Sequence, residues 1–339
     1  MKYFLPIVFL FSTMLACQPG TKQEADAAMK DTPNEVIYHV LVRSFYDSNG
    51  DGHGDLNGLR EKLPYLRDLG VTSILLLPIQ SSVYYHNYFS DDFEKIDPRY
   101  GTMDDYIALV KEVHRHGLKI YLDMEAQYVL ENHLWWKEGV GNLNSPYRDF
   151  ILYEDEAHEK PSSIIYSLYE FTGYDGKGSR ITTVNLRSPD VLEYMKKLFH
   201  FFVDPNGDGN FEDGADGFRL DHAMDTLDNK PELAGLFQHF WKPLIDHIKG
   251  INPNVKFIAE QADWMDHGRA YYTDMGADHV FAFSIGFAIG QMNKKLIEDA
   301  IQFVHEHTPE GRQQIIFIEN HDINRFASVV NNHPGYIKA

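Results

Sequence analysis

The residues best suited to chemistry in this chain close short apolar runs. In Gly217-Phe-Arg-Leu-Asp221, apolar Phe218 and Leu220 alternate with Arg219 and Asp221 after an acidic, glycine-bearing turn. Arg219 and Asp221 therefore share one face of a strand, two residues apart. A cation beside a carboxylate favours its charged form, so the sequence predicts an ionised Asp221, as a carboxylate nucleophile must be. A structural ion pair at a strand end would leave the same trace in this stretch alone. Glu260 closes Phe257-Ile-Ala-Glu260, whose apolar run would desolvate the carboxyl and raise its pKa for a proton-donating role. Asp123 ends a third run, and Asn320-His321-Asp322 follows a fourth. Two carboxylates about 5 Å apart suit retaining glycoside hydrolysis, in which one attacks carbon while the other donates a proton and later takes one.

Residues so far apart meet only if strands and helices alternate. The patterns predict strands over 36–45, 71–79, 118–123, 217–221, 255–260, 279–283 and 315–319, with helices over 56–69, 103–116, 191–202, 233–248 and 294–305. Seven βα units point to a (β/α)8 TIM barrel, an α/β fold whose strand ends share one mouth, truncated before strand 8. The last unit is missing, and the sequence reads as a fragment at Ala339. The barrel is expected over 34–124 and 187–339, and the aperiodic stretch 125–186 as a small domain inserted after strand 3. Its Trp135, Trp136 and Tyr147, with the run from Tyr166 to Tyr174, suit either sugar stacking or packing onto the barrel.

Three of these segments, Gly217-Phe-Arg-Leu-Asp221, Phe257-Ile-Ala-Glu260 and Phe317-Ile-Glu-Asn-His-Asp322, resemble ordered motifs of the α-amylase family, glycoside hydrolase family 13. His86-Asn-Tyr88 with Asp97-Pro-Arg-Tyr-Gly101 resembles that family's loop after strand two. The resemblance implies that Asp221 is the nucleophile, Glu260 the acid/base and Asp322 the carboxylate that grips sugar hydroxyls. It likewise implies that Arg219 orients Asp221 and that His321 and Tyr88 meet the sugar, with His86 and Arg325 among the substrate-binding residues. The expected substrate is an α-glucan or maltooligosaccharide.

The chain departs from the family after strand three, where Asp123-Met-Glu-Ala-Gln127-Tyr128 stands in place of an Asp followed by Asn-His. Thr182-Thr-Val-Asn185 lacks an acid often found there. The calcium that family members hold between barrel and insertion is therefore expected to be missing, with Gln127 donating to the sugar and Tyr128 stacking on it. Calcium is expected elsewhere. Asp47, Asn49, Asp51, His53 and Asp55 offer oxygen at alternate positions around Gly52, and Asp204, Asn206 and Asp208 repeat the spacing, which tight turns also produce.

The net charge of -19 excludes nucleic acid as a natural partner, since its phosphates would be repelled. Lys2 followed by an apolar run to Ala16 reads as a signal peptide over 1–16. Leu15-Ala16-Cys17 resembles a bacterial lipoprotein cleavage box, giving a lipid on Cys17, a polar tether over 17–33 and a place in the cell envelope, with no transmembrane helix in the mature chain. Cys17 is the single cysteine, so no disulfide forms within the chain. Besides hydrolysis, two functions fit: a transglycosylase or isomerase on the same scaffold, and a non-catalytic glycan-binding lipoprotein. A metal-dependent hydrolase built on His222, His321 and Asp322 is a more remote alternative, lacking a histidine pair on strand one.

Overall fold

A computed structural model describes residues 34–261 and 268–331. The signal and tether segments, with Cys17, lie outside the described residues. The strands are β1 (Ile37–Val40), β2 (Ser73–Leu76), β3 (Gln80–Ser81), β4 (Asp92–Ile96), β5 (Lys119–Met124), β6 (Tyr128–Leu130), β7 (Glu170–Thr172), β8 (Gly178–Thr183), β9 (Gly217–Leu220), β10 (Lys256–Ala259), β11 (His279–Phe281) and β12 (Gln313–Ile315). Seven form one parallel sheet in the order β1-β2-β5-β9-β10-β11-β12. This is the half-barrel succession that alternating strands and helices demand, and among the described residues no eighth strand joins this sheet.

Every residue of β2 and β9 is buried, as a parallel strand covered on both faces requires. On the inner face Leu75, Tyr121 and Ile258 pack together with Ile37, Phe281 and Ile315 beside them. On the outer face Phe218 meets Phe199 of the helix Pro189–Val203 and Phe257 of β10, with ring centroids 4.6 and 5.7 Å apart. Gly217 is needed where β9 begins, because a Cβ there would lie 2.2 Å from the Lys256 carbonyl and 2.9 Å from the Tyr121 ring.

Several element bounds differ from those expected. The first strand stops at Val40 and gives way to a 3-10 turn, Val42–Ser44. The expected helix 56–69 is two, Leu56–Glu61 and Leu63–Asp68, because Pro64 opens the second and has no amide hydrogen to continue the first. Likewise a π-helical turn, Phe237–Trp241, feeds the helix Lys242–Ile251, which carries Pro243 in its first turn. The last strand lies earlier than expected, pairing from His279↔Gln313 to Phe281↔Ile315. Phe317 leaves that ladder to pack against Phe281 and Phe283.

The stretch 125–186 holds the antiparallel sheet β6-β8-β7 and the helix Leu134–Gly139. Trp135, Trp136 and Tyr147 join the main core, with Trp135 set among Phe93, His133, Phe150 and Tyr194. Packing is therefore their use. Tyr166, Tyr169 and Tyr174 are exposed.

Candidate active site

The site is built around Arg219. Side chains alternate along a strand, so Arg219 rises from the inner face of β9 above Gly217, with Asp221 one step further. Pairing Asp123↔Arg219 and Ile258↔Arg219 puts β5 and β10 on either side. The ladder continues just past β9 and β10, where the Asp221 amide donates to Met124 O and the Glu260 amide to Leu220 O, each at 3.1 Å. Asp123, Asp221 and Glu260 thus reach the inner face together.

Their shared partner is one buried guanidinium. Arg219 Nη1 donates to Asp123 Oδ1 and Oδ2 at 2.8 and 2.9 Å and to the Tyr88 hydroxyl at 3.0 Å, and it also bonds Asp221 Oδ1. Nη2 stands 3.0 Å from Glu260 Oε1. Glu260 Oε2 accepts the His222 amide at 2.8 Å.

Burial alone would raise the pKa of Asp123, but Arg219 and the adjacent His39 hold it below the usual carboxylate range. Asp221 goes the other way. Burial pushes it well above its ordinary value, and the charges of Glu260 and Asp123 add to that while Arg219 opposes it. This qualifies the expectation of a plainly ionised Asp221: one guanidinium faces three carboxylates, so repulsion among them works against the ionisation that Arg219 favours.

The loop after β3 supplies Tyr88, whose hydroxyl donates to Asp123 Oδ2 at 2.6 Å. That donation uses its only proton. His321 Nε2, 3.0 Å from the same hydroxyl and 3.1 Å from Asp322 Oδ1, must therefore carry hydrogen. The imidazole is neutral, since burial and then neighbouring His39 lower its pKa to about 3. His86 is lowered to about 4, by burial first, and stacks on Tyr84 beside Tyr88. Asp322 reaches the group through His321, and desolvation followed by repulsion from Glu260 raises its pKa to about 6.

Tyr88 sits between two non-glycine residues in left-handed backbone, Asn87 (φ 60°) and Phe89 (φ 66°). Such residues cost on the order of 1–3 kcal/mol each and persist only where their surroundings over-determine them. Asn87 is fixed by its amide, which donates to Gln80 O at 2.7 Å and Asp97 Oδ2 at 2.8 Å, with Arg43 bridging Asn87 and Asp97.

Tyr88, Arg219, Asp221, Glu260, His321 and Asp322 thus converge, with His86 alongside. Three residues expected at the sugar are placed otherwise. Gln127 is fully buried, its amide bonded to the backbone carbonyls of Asp221 and His222, so it shapes the turn after β9. Tyr128 is also buried, donating to Asp228 Oδ1 at 2.7 Å. Arg325 is paired with Glu319 at 2.6 Å, its side chain 77% exposed. Sequence reasoning missed His39, 3.6 Å from Asp123, whose signal was a polar residue near the end of the first strand. It also missed Glu125.

The catalytic-domain model of the α-amylases matches residues 39–339. The chain belongs to the α-amylase family of glycoside hydrolases. Alpha-amylase 3 of Dictyoglomus thermophilum is 34% identical over 294 residues, covering 85% of this chain and 56% of that protein. Trehalose synthase/amylase TreS of Mycolicibacterium smegmatis is 30% identical, covering 90% and 54%. The 4-alpha-glucanotransferase of Thermotoga neapolitana is 30% identical, covering 86% and 64%. Among solved structures, the alpha-amylase from H.orenii superposes with a TM-score of 0.71 at 26% identity, covering 88% of this chain and 63% of that one. The chain thus spans about half to two-thirds of the length of these relatives.

The acidic loops are more self-contained than this amylase-family chain's sequence suggests. Asp47 accepts the Gly50 and Gly52 amides at 2.7 and 2.8 Å, while Asp51 accepts that of His53. Asp55 caps the helix Leu56–Glu61 and accepts from Ser48. Asp204 and Asp208 close turns in the same way, accepting the Gly209 and Asn210 amides. Among the described residues no three His, Cys, Asp or Glu side chains converge as a metal centre, at either loop or at His222, His321 and Asp322. The alternating oxygen donors suit a hard cation, which would have to draw them inward from these turns.

Removing the shared partner of buried charges leaves them uncompensated, and here that partner is Arg219, which faces Asp123, Asp221 and Glu260. Arg219→Ala is therefore expected to cost about 3–5 kcal/mol of unfolding free energy, measured by urea denaturation. A loss below about 1 kcal/mol would show that the carboxylates do not depend on this guanidinium.

Proposed function

We propose that this protein is a retaining α-glucan hydrolase that cleaves α-1,4 glucosidic bonds through a covalent glycosyl-enzyme, with α-1,6 bonds as the second candidate linkage. The observation that carries this reading is the suspension of Asp221 and Glu260, from adjacent strands, on the two terminal nitrogens of one guanidinium. Both carboxyls are thereby held against one planar group, as two carboxylates serving a single glycosidic bond must be in a retaining mechanism.

In the first step the Asp221 carboxylate attacks the anomeric carbon while the bond from that carbon to the leaving oxygen breaks and Glu260 gives that oxygen a proton. This step needs Asp221 charged and Glu260 as the proton donor when sugar is bound. In the second step Glu260 takes a proton from water, whose oxygen displaces Asp221. Arg219 holds Asp221 in line, while His321 and Asp322 are placed to bind sugar hydroxyls. Tyr88 walls the subsite.

A sugar hydroxyl as acceptor would turn the same first step into transglycosylation or isomerisation, and the names of the trehalose synthase and glucanotransferase relatives support that reading equally. A solely glycan-binding role is disfavoured by the presence of all the reacting groups. Asp221→Asn or Glu260→Gln is expected to lower release of reducing sugar from maltooligosaccharides by at least about 10³-fold. Unchanged turnover in either variant ends the assignment. Chromatography of the wild-type products separates the acceptors, since transfer yields oligomers longer than the substrate or linkage isomers of it.

Two further proposals concern the envelope and the metal. We propose that calcium binds the Asp47–Asp55 loop through Asp47, Asn49, Asp51, the His53 carbonyl and Asp55, with Asp204, Asn206 and Asp208 as a second candidate. Calcium at 100-fold its dissociation constant should stabilise the fold by about 2.7 kcal/mol, seen as a rise in Tm that EDTA reverses. A Tm indifferent to both reagents removes the metal. We also propose that Cys17 carries the lipid that holds the protein at the cell envelope. No helix of the described residues is long and apolar enough to cross a membrane. In a bacterial host, radiolabelled palmitate should enter the wild type and not Cys17→Ser, and an unlabelled wild type would refute the anchor.

A further inference from the structure

Glu125 stands two residues beyond Asp123, just past the end of β5, and no step of the proposed reaction uses it. It is buried, its Oε2 accepts the Phe89 amide at 2.7 Å, and its Oε1 is buried without a hydrogen-bond partner. We propose that Glu125 is a positioning residue of the active site: by holding the Phe89 amide it keeps Tyr88 seated on Asp123, Arg219 and His321. The proposal rests on the glycosidase reading for its kinetic consequences, though not for its geometry.

Tyr88 lies between two left-handed residues that need support from their surroundings. The upstream one, Asn87, is tied by its side chain to Gln80 O and Asp97. The downstream one, Phe89, has no amide at its side-chain tip and is instead held through its backbone N–H, by Glu125. Its ring packs against Tyr84, Tyr128 and Phe171, and Ser82 donates to the Tyr88 and Phe89 carbonyls. None of these takes the amide hydrogen.

The groups facing Glu125 are Asp123 on its own segment, Asp221 and Asp228 beyond β9, and the Tyr128 hydroxyl. In these surroundings burial, together with Asp123 and Asp228, pushes its carboxyl up to about 8, although the Phe89 and Tyr128 amides draw it down. A carboxyl raised that far is mainly protonated at neutral pH. A glutamine would present the same shape, with its carbonyl oxygen to Phe89 and its NH2 where the hydroxyl lies. Aspartate keeps the acid and falls short of the amide.

The experiment compares wild type with Glu125→Gln, Glu125→Asp and Glu125→Ala by kinetics on maltooligosaccharides, melting curves and crystal structures. Expected is a kcat/KM for Glu125→Gln within about twofold of wild type, and a loss of about 10- to 100-fold in Asp and Ala, as for a misplaced binding group. The structures of the latter two should show the Tyr88 hydroxyl displaced from Asp123. The pH dependence gives a second readout. A carboxyl with a raised folded pKa contributes a destabilisation that grows from its ordinary pKa up to about 8. The Tm of Glu125→Gln relative to wild type should therefore climb over that range.

Asp and Ala variants with lowered Tm but unchanged kcat and KM would make Glu125 merely structural, and a Gln variant as impaired as Ala would make the acid itself essential. Either overturns the proposal. If Ala fails to fold, the contrast between Gln and Asp decides. Should wild type not cleave maltooligosaccharides, the glycosidase reading fails on its own, and the position of Tyr88 in the variant structures still tests the clamp.

Discussion

A single buried cation organises the inner end of this sheet. Arg219 is covered on all sides, and removing a charge from water is costly unless opposite charge and hydrogen bonds replace the lost hydration. Its planar fork suits that task better than a lysine would, because two terminal nitrogens can face separate carboxylates in fixed directions. Asp123 receives two bonds from one nitrogen and another from the Tyr88 hydroxyl, Asp221 shares that nitrogen, and Glu260 lies against the other. Below it the glycine at 217 leaves room for the Tyr121 ring, which with Leu75 and Ile258 forms the apolar floor that keeps water out.

Three carboxyls around one cation also repel one another, which raises Asp221 while Arg219 keeps Asp123 low. The neighbouring histidines add no positive charge, since burial keeps His321 and His86 neutral at physiological pH. They act through hydrogen bonds and ring faces.

Much of this was legible from the residues alone. Strand ends carrying acids stand out because the apolar runs before them are long and the polar exits abrupt, and the structure brings Asp221, Glu260 and Asp322, singled out in this way, to one end of the sheet. Pro64 and Pro243 shifted the helices because a missing amide hydrogen outweighs apolar periodicity locally. Gln127 and Tyr128 were misplaced for another reason: a polar residue after a strand can turn to substrate or to backbone, and only the packing of β6 against β8 shows that both are covered. His39 and Glu125 left weaker traces. Each is one polar residue near a strand end, and their partners Asp123 and Phe89 lie far along the chain.

The two carboxyls that would meet substrate come from β9 and β10, which are hydrogen-bonded neighbours in the sheet. Their spacing is consequently a property of the backbone, inherited from ordinary parallel pairing, and no loop has to be placed correctly to maintain it. The loop after β3 and the turn beyond β12, by contrast, shape what may enter. In the reading proposed above, changes to that rim would alter which acceptor reaches the site while leaving the distance between the two carboxyls set by the sheet.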